Sequence, residues 1–349
     1  MVTLGTDAHK RSHTIVAADE QGRQLGQVTV KATPVGHLTA LRWAGQWPER
    51  RWAIEDCRHL SRRLERDLLA AGELVVRVAP KLMAGARRGA RTPGKSDPID
   101  ALAVARAALR EPDLPVACLD GVEREVRLLV DHREDLVAER TRIQQRLRWH
   151  LHELEPGWEV PAGALDRMVW LDAAQARLAA HQGVVAELAA ELVGRCRELT
   201  GRINELERRL GRLVTPLAPS LLELPGCGEL TAAKLVGEAA GIGRFRSRAA
   251  FAMHTGTAPV PVWSGNRERH RLNRGGNRQL NVALHRIAVT QLRLGGAGGA
   301  YHRRRLALGD TKTEAIRALR RRIADEVYRR LRADERQRRS QPTCHLPAA

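Results

Sequence analysis

Apolar and polar positions alternate on two different periods along this chain, and the change between them divides it into parts. The opening run Val2-Thr-Leu-Gly-Thr-Asp7 is short, apolar and closed by a carboxylate, as a strand end would be. Thr14-Ile-Val-Ala-Ala18, the turn-forming Asp19-Glu-Gln-Gly22 and Leu25-Gly-Gln-Val-Thr-Val30 then read as a β-hairpin. Helical spacing follows from Pro34 to Trp47 through Leu38, Leu41 and Trp43, and Arg51-Trp-Ala-Ile-Glu55 reads as a buried strand that again ends on an acid. Leu60 to Ala71 predicts a helix, Leu74 to Val78 a strand, and Asp97-Pro-Ile-Asp100 opens an Ala-rich helix. The resulting order βββαβαβα is that of the ribonuclease-H-like folds.

Beyond about Val122 the period lengthens. Val122, Val126, Leu129, Leu136, Ile143 and Leu147 recur at heptad-like steps, and Leu188, Leu192, Leu199, Leu206, Leu210 and Leu213 do so again. Two long antiparallel helices are expected, with Glu155-Pro-Gly157 and Pro161 breaking the first and a helical stretch from about Leu165 to Ala180 before the second. Arg133, Arg140 and His150 interrupt the first seam, which leaves a dimer or RNA-contacting surface and an intramolecular hairpin equally open. The expected division is 1–115, an α/β catalytic domain; 116–215, a helical linker; 216–333, a mostly helical C-terminal domain; and 334–349, a disordered tail.

Asp7, Glu55, Asp97 and Asp100 are the candidate chemistry of the first part. Two Mg²⁺ ions about 4 Å apart, held by hard carboxylate oxygens, can activate an attacking oxygen and stabilise a leaving one at a phosphodiester. Strand ends and one helix start can present such a set, and Asp97 and Asp100, three apart, share a helix side. Each acid also has a plain reading: Asp97 before Pro98 suits an N-cap, Asp100 suits the helix dipole, Asp7 suits a turn, and Asp56 competes with Glu55. His9 and His13 lie near Asp7 in sequence and could touch the metal site, though surface or strand-packing roles are expected for both.

Gly5-Thr-Asp7-Ala-His-Lys10, Glu55 and Lys95-Ser-Asp97-Pro-Ile-Asp100 together resemble the DEDD motif of IS110-type insertion-sequence transposases, relatives of a pilin-gene inverting recombinase. Their N-terminal domain is similar to that of RuvC-type Holliday-junction resolvases. Leu224-Pro-Gly-Cys-Gly228, Thr231 to Leu235, Gly256-Thr-Ala-Pro259, Ser264-Gly265, Arg274-Gly-Gly-Asn-Arg-Gln-Leu280 and the helix from Lys312 resemble the C-terminal domain of the same family, so the likeness runs over nearly the whole chain. It implies a metal-binding role for Asp7, Glu55, Asp97 and Asp100, a covalent phosphoserine at Ser264, and guidance by a bridge RNA that pairs with donor and target double-stranded DNA. Without the resemblance, Ser264-Gly-Asn is a turn signal; with it, a weakly nucleophilic hydroxyl must meet an activating base or metal.

Gly226 and Gly228 ahead of a helix suit either a phosphate-holding helix start or a helix corner, and Arg274 to Asn277 offers a second phosphate contact. Arg267, Arg269 and His270 follow Ser264, and Gly265 permits a close backbone approach. The net charge of +19 and pI near 11.1 favour a polyanionic partner. Residues 261–340 carry 21 Arg and Lys against 7 Asp and Glu, a net of +14. A GC-rich genome explains Arg in place of Lys but not the excess charge. Five scattered cysteines without a C-x-x-C pair and 13 histidines without tight spacing indicate neither zinc nor a disulfide framework. No transmembrane run or apolar leader is evident, so a cytoplasmic, nucleoid-associated protein is expected. A homodimer or homotetramer is expected because strand exchange needs more than one active site. Three readings compete: the RNA-guided recombinase, a junction-resolving nuclease in which water attacks, and a non-enzymatic nucleic-acid-binding protein.

Overall fold

The computed structural model describes residues 1–56, 58–80, 82–83, 96–111, 114–117, 121–264 and 267–340, without the side chains of 58, 59, 263, 264 and 267–269. By contact it falls into two compact units: residues 1–120 with 241–277, and 121–240 with 278–349. The expected division at 115, 215 and 333 is therefore not the division by contact, because the segment 241–277 is taken out of the C-terminal part and joined to the N-terminal one.

The first unit is built on a five-stranded sheet of order β3-β2-β1-β4-β5, with β1 Val2–Ala8, β2 Ser12–Ala18, β3 Gln24–Lys31, β4 Arg50–Glu55 and β5 Val75–Val78. Only β2 runs antiparallel to its neighbours, since β1 pairs with β4 and β4 with β5 in parallel. This is the ribonuclease-H-like α/β arrangement expected from the pattern. In the hairpin turn, Asp19 Oδ1 accepts from the backbone N–H of Gln21 (3.0 Å) and Arg23 (2.8 Å), and Gly22 takes φ +76°.

Period-two alternation assigns the strand residues to faces. Leu4, Ile15, Trp52 and Ile54 lie in one core with Leu64 and Leu68 of α2 (Arg58–Ala70), beside α1 (Pro34–Ala44). On the opposite face Ala53, Val76 and Val78 pack with Ala103, Val104 and Ala107 of α3 (Asp97–Arg110). Gly5 lets α3 approach β1: a Cβ there would overlap the Ala101 carbonyl oxygen and stand 2.5 Å from the Ala105 nitrogen. Both obstacles are backbone and cannot rotate away. Gly5→Ala is expected to destabilise the unit by about 3 kcal/mol or more, as overpacking against fixed atoms does; a thermal melt unchanged from wild type would contradict this packing.

The second unit contains the long helices α4 (Val122–Leu154) and α6 (Val184–Leu217), with α5 (Met168–Leu178) between them. Ile143, Leu147, Leu192, Val193, Cys196 and Leu199 bury the seam within the chain. The arginines that interrupt it are answered across the hairpin: Arg133 reaches Glu207 at 2.5 Å, and buried Arg140 donates to Thr200 Oγ1 at 3.0 Å. Polar residues in the seam thus fix the register of an intramolecular hairpin. Next come α7 (Pro219–Leu222) and α8 (Glu229–Ala239), and after residue 277 α10 (Arg278–Leu294), α11 (Ala297–Ala307) and α12 (Lys312–Ser340). Within the stretch expected to be disordered from 334, α12 continues to Ser340, and Asp334 is buried and accepts from Ser220 Oγ at 2.8 Å. Residues 341–349 lie outside the described residues. No helix among the described residues is long and apolar enough to cross a membrane.

Candidate active site

The sheet register settles how the acids stand. Gly5 pairs with Ala53 and Thr6 with Ile54, so one step further Asp7 stands beside Glu55 at the ends of adjacent parallel strands. Both share the face of Gly5 and Ala53, the face that α3 covers. Asp56 follows Glu55 and alternates to the other side, its backbone N–H bonded to the Val78 carbonyl at 2.9 Å. Parity along β4 therefore favours Glu55 over its neighbour.

α3 brings the other two. Its N-cap is Ser96, so Asp97 is the first helical residue and Pro98 the second; Asp97 is not the cap that its sequence suggested. Asp100 lies one turn on, buried, and Asp7 is buried as well. Asp97 stays half-exposed. Burial pushes the Asp7 carboxyl above its ordinary range; the imidazole of His9 opposes the shift, and the charges of Asp100 and Asp97 add to it. Three carboxylates thus converge where an ionised Asp7 is costly without a compensating cation.

Of the two roles open to His9 the structure has the less expected one: its Nε2 stands 3.1 Å from Asp7 Oδ2 and 3.4 Å from Asp97 Oδ1. Donor atoms of Asp7, His9 and Asp97 all lie within 4.8 Å of one another, a spacing one divalent ion can bridge. The carboxylates supply the hard oxygens that Mg²⁺ or Mn²⁺ prefers, so the residues present fit such an ion. The sequence signal for His9 was its place two residues past Asp7, where the strand gives way to a turn. His13 has the packing role expected: it is buried, it stacks on His37 with centroids 5.3 Å apart, and burial pushes its imidazole down to about 4.

The remaining candidates separate into two groups. Ser264 ends β6 (Val260–Ser264), which pairs antiparallel with β7 (Arg267–Arg271), Ser264 opposite Arg267. Gly265 and Asn266 lie outside the described residues, as do the side chains of Ser264, Arg267 and Arg269. The hairpin belongs to the same compact unit as the acids. In that unit α9 (Arg248–Thr255) carries His254, whose imidazole is pushed down to about 3 by burial and by Arg244, against the opposing charge of Asp56. The Arg274–Asn277 loop closes on the end of α9: Asn277 N–H donates to the His254 carbonyl at 2.6 Å, and a Cβ on Gly276 would overlap the backbone of Gly256. Gly276 is there for close packing.

Gly226 and Gly228 stand in the second unit. Gly226 has φ +85°, and a Cβ on it would stand 3.0 Å from the Ile287 carbonyl oxygen and from Thr290 Cβ. Gly226 thus forms a tight corner just ahead of α8. Gly228 caps α8, whose first turn carries the carboxylate of Glu229. That charge disfavours an anion at this helix start. Among the described cysteines Cys196 and Cys227 are buried thiols pushed up to about 11 and 12, unsuited to nucleophilic work.

An α/β sheet with carboxylates gathered at its strand ends suits metal-dependent phosphodiester chemistry, and the family models that match this chain are those of transposases. A family model described as a transposase matches residues 4–156, and one described as transposase IS116/IS110/IS902 family matches residues 218–303. The IS116 insertion-element protein of Streptomyces clavuligerus is 28% identical over 95% of this chain and 94% of its own length. The IS900 insertion-element protein of Mycobacterium paratuberculosis is 27% identical over 95% and 96%. The RuvC structure of Thermus thermophilus in complex with a Holliday junction substrate is 17% identical, covers 34% of this chain and 99% of its own, and has a TM-score of 0.27. The chain belongs to the IS116/IS110/IS902 family of transposases.

Proposed function

We propose that this transposase cuts and exchanges DNA strands through a phosphoserine formed at Ser264, with Asp7, Glu55, Asp97 and Asp100 holding divalent metal, Mg²⁺ by donor chemistry and two ions by the number of carboxylates. The observation that carries the reading is the burial of Asp7 against Asp97 and Asp100, on the sheet face it shares with Glu55. Carboxylates are brought together at this cost where a cation repays it. Bound metal would supply charge neutralisation at the phosphodiester and lower the barrier for oxygen exchange. The chain supplies the rest. Ser264 Oγ forms a bond to phosphorus as one backbone P–O bond breaks; the serine proton passes to a carboxylate of the cluster, which hands it on to the departing deoxyribose oxygen, released as a hydroxyl. A hydroxyl of the exchanged strand then attacks the phosphoserine and restores Ser264, so the ester bond energy is conserved.

What supports a common site for acids and serine is that one compact unit contains them both. Double-stranded DNA is the substrate, and the resemblance implies a bridge RNA as guide, in keeping with a net charge of +19. Pairs of strands exchanged together require a dimer or tetramer, working on DNA in the nucleoid. The test is Asp97→Asn. Because Ser96 is the cap and Asp97 the first helical residue, this substitution leaves the helix start intact. DNA cleavage is expected to fall at least about a hundredfold with an unchanged melting temperature. Full cleavage activity in that variant would remove Asp97 from the site.

A further inference from the structure

In the second unit, α11 and α12 enclose an open groove of about 690 Å³ that no part of the proposed chemistry uses. Its floor is apolar, made by the buried Leu319 and Ile323 of α12, and exposed Leu294 stands at its rim. Tyr301 of α11 forms one wall. Two guanidiniums lie on that single ring, Arg322 at 4.5 Å from its centroid and Arg304 at 5.4 Å. Neither has an ion pair among the described residues. The one acid in the lining, Glu326, is already matched by Arg329 and Arg330, each at 2.6 Å. The groove thus presents an apolar floor, an aromatic ring and two guanidiniums, both within 5.4 Å of that ring's centroid.

We propose that this groove takes an unpaired nucleotide, whose base stacks on Tyr301 while its flanking phosphates are held by Arg304 and Arg322. A guanidinium resting on a half-buried aromatic ring at the groove wall is weakly held, whereas a stacked base gains more from the same ring. An arriving base displaces one arginine from the ring, and the freed fork meets the phosphate beside it. A paired base offers no face to stack, so a duplex gains nothing from the tyrosine. Small residues at the start of α11 serve packing: a Cβ on Gly298 would stand 2.8 Å from the Gln291 Cβ. This inference goes beyond the strand-exchange reading and needs neither its serine nor its metal.

The experiment is fluorescence anisotropy of the purified full chain in EDTA with labelled oligouridylate, oligothymidylate and a mixed-sequence duplex. Tyr301→Ala is expected to weaken both unpaired oligomers by roughly 5- to 100-fold, the range for one stacked base, and to leave the duplex unaffected. Tyr301→Phe is expected to bind as wild type. Arg322→Gln should lower the salt slope by about 1. Tighter binding of the uridylate assigns the groove to an RNA loop, and equal binding assigns it to an unpaired DNA strand. Wild-type affinity in Tyr301→Ala, equal loss in Tyr301→Phe, or a parallel loss on duplex would overturn the proposal. Should Tyr301→Ala fail to fold, Arg304→Gln combined with Arg322→Gln removes only exposed charges, and unchanged affinity there overturns it equally. Binding in EDTA does not depend on catalysis, so failure here leaves the phosphoserine reading to its own tests.

Discussion

Asp7→Asn is expected to lower DNA cleavage by at least about a thousandfold while leaving the metal-free chain as stable as wild type, or more so. Most buried-acid substitutions do the reverse, and the difference lies in what surrounds this one. Asp7 is buried, and Asp100 and Asp97 add negative charge to it, so its carboxyl titrates above its ordinary range with only His9 opposing. A raised folded-state value means that ionisation costs the folded form more than the unfolded one. As pH rises from the unfolded value near 3.8 through the folded one, stability falls, and the deficit persists at neutral pH. Asparagine keeps the shape and cannot ionise, so the deficit vanishes. Divalent cation inverts the order: it should raise the wild-type melting temperature at neutral pH and do much less for Asp7→Asn. A variant that melts well below wild type without metal, yet still cuts DNA, would make Asp7 a structural residue.

Ser264→Ala is expected to abolish strand joining, by at least about a thousandfold, with the fold intact. Ser264 is the last residue of its strand and pairs with Arg267 through backbone, so loss of a hydroxyl removes no ladder bond. Joining assays on pre-cut and uncut DNA separate the outcomes. An alanine variant that neither cleaves uncut DNA nor joins it fits the serine mechanism. One that still cleaves would mean that water or another group is the nucleophile.

The strand-helix alternation of the first unit was legible because period-two runs ended on turn residues and acids, and the expected βββαβαβα order matches the strands and helices described up to Arg110. Heptad spacing likewise gave both long helices of the second unit. What the pattern did not carry was long-range choice. Whether Glu55 or Asp56 faces α3 depends on the pairing of Gly5 with Ala53, which no local signal encodes. The contact of His9 with Asp7 and Asp97 needs α3 folded over the sheet, some ninety residues away in sequence. Glycine was ambiguous for the same reason: Gly226 reads as phosphate-holding or as a helix corner, and the Ile287 carbonyl oxygen 3.0 Å from where its Cβ would stand shows a close approach that no local signal encodes. The grouping of 241–277 with the first unit was not legible, since its Gly- and Pro-containing composition signals turns but not which distant elements it packs with.

Ser264 is expected to become covalently bonded to DNA at a site that depends on the acidic cluster. Mass spectrometry of the protein after reaction with its DNA in Mg²⁺, denaturation, nuclease digestion and proteolysis reads this directly. A nucleotide mass is expected on the peptide containing Ser264, lost when Mg²⁺ is omitted and lost in Asp7→Asn. DNA cut to completion with no peptide carrying a nucleotide, or with the adduct on another residue, would contradict it.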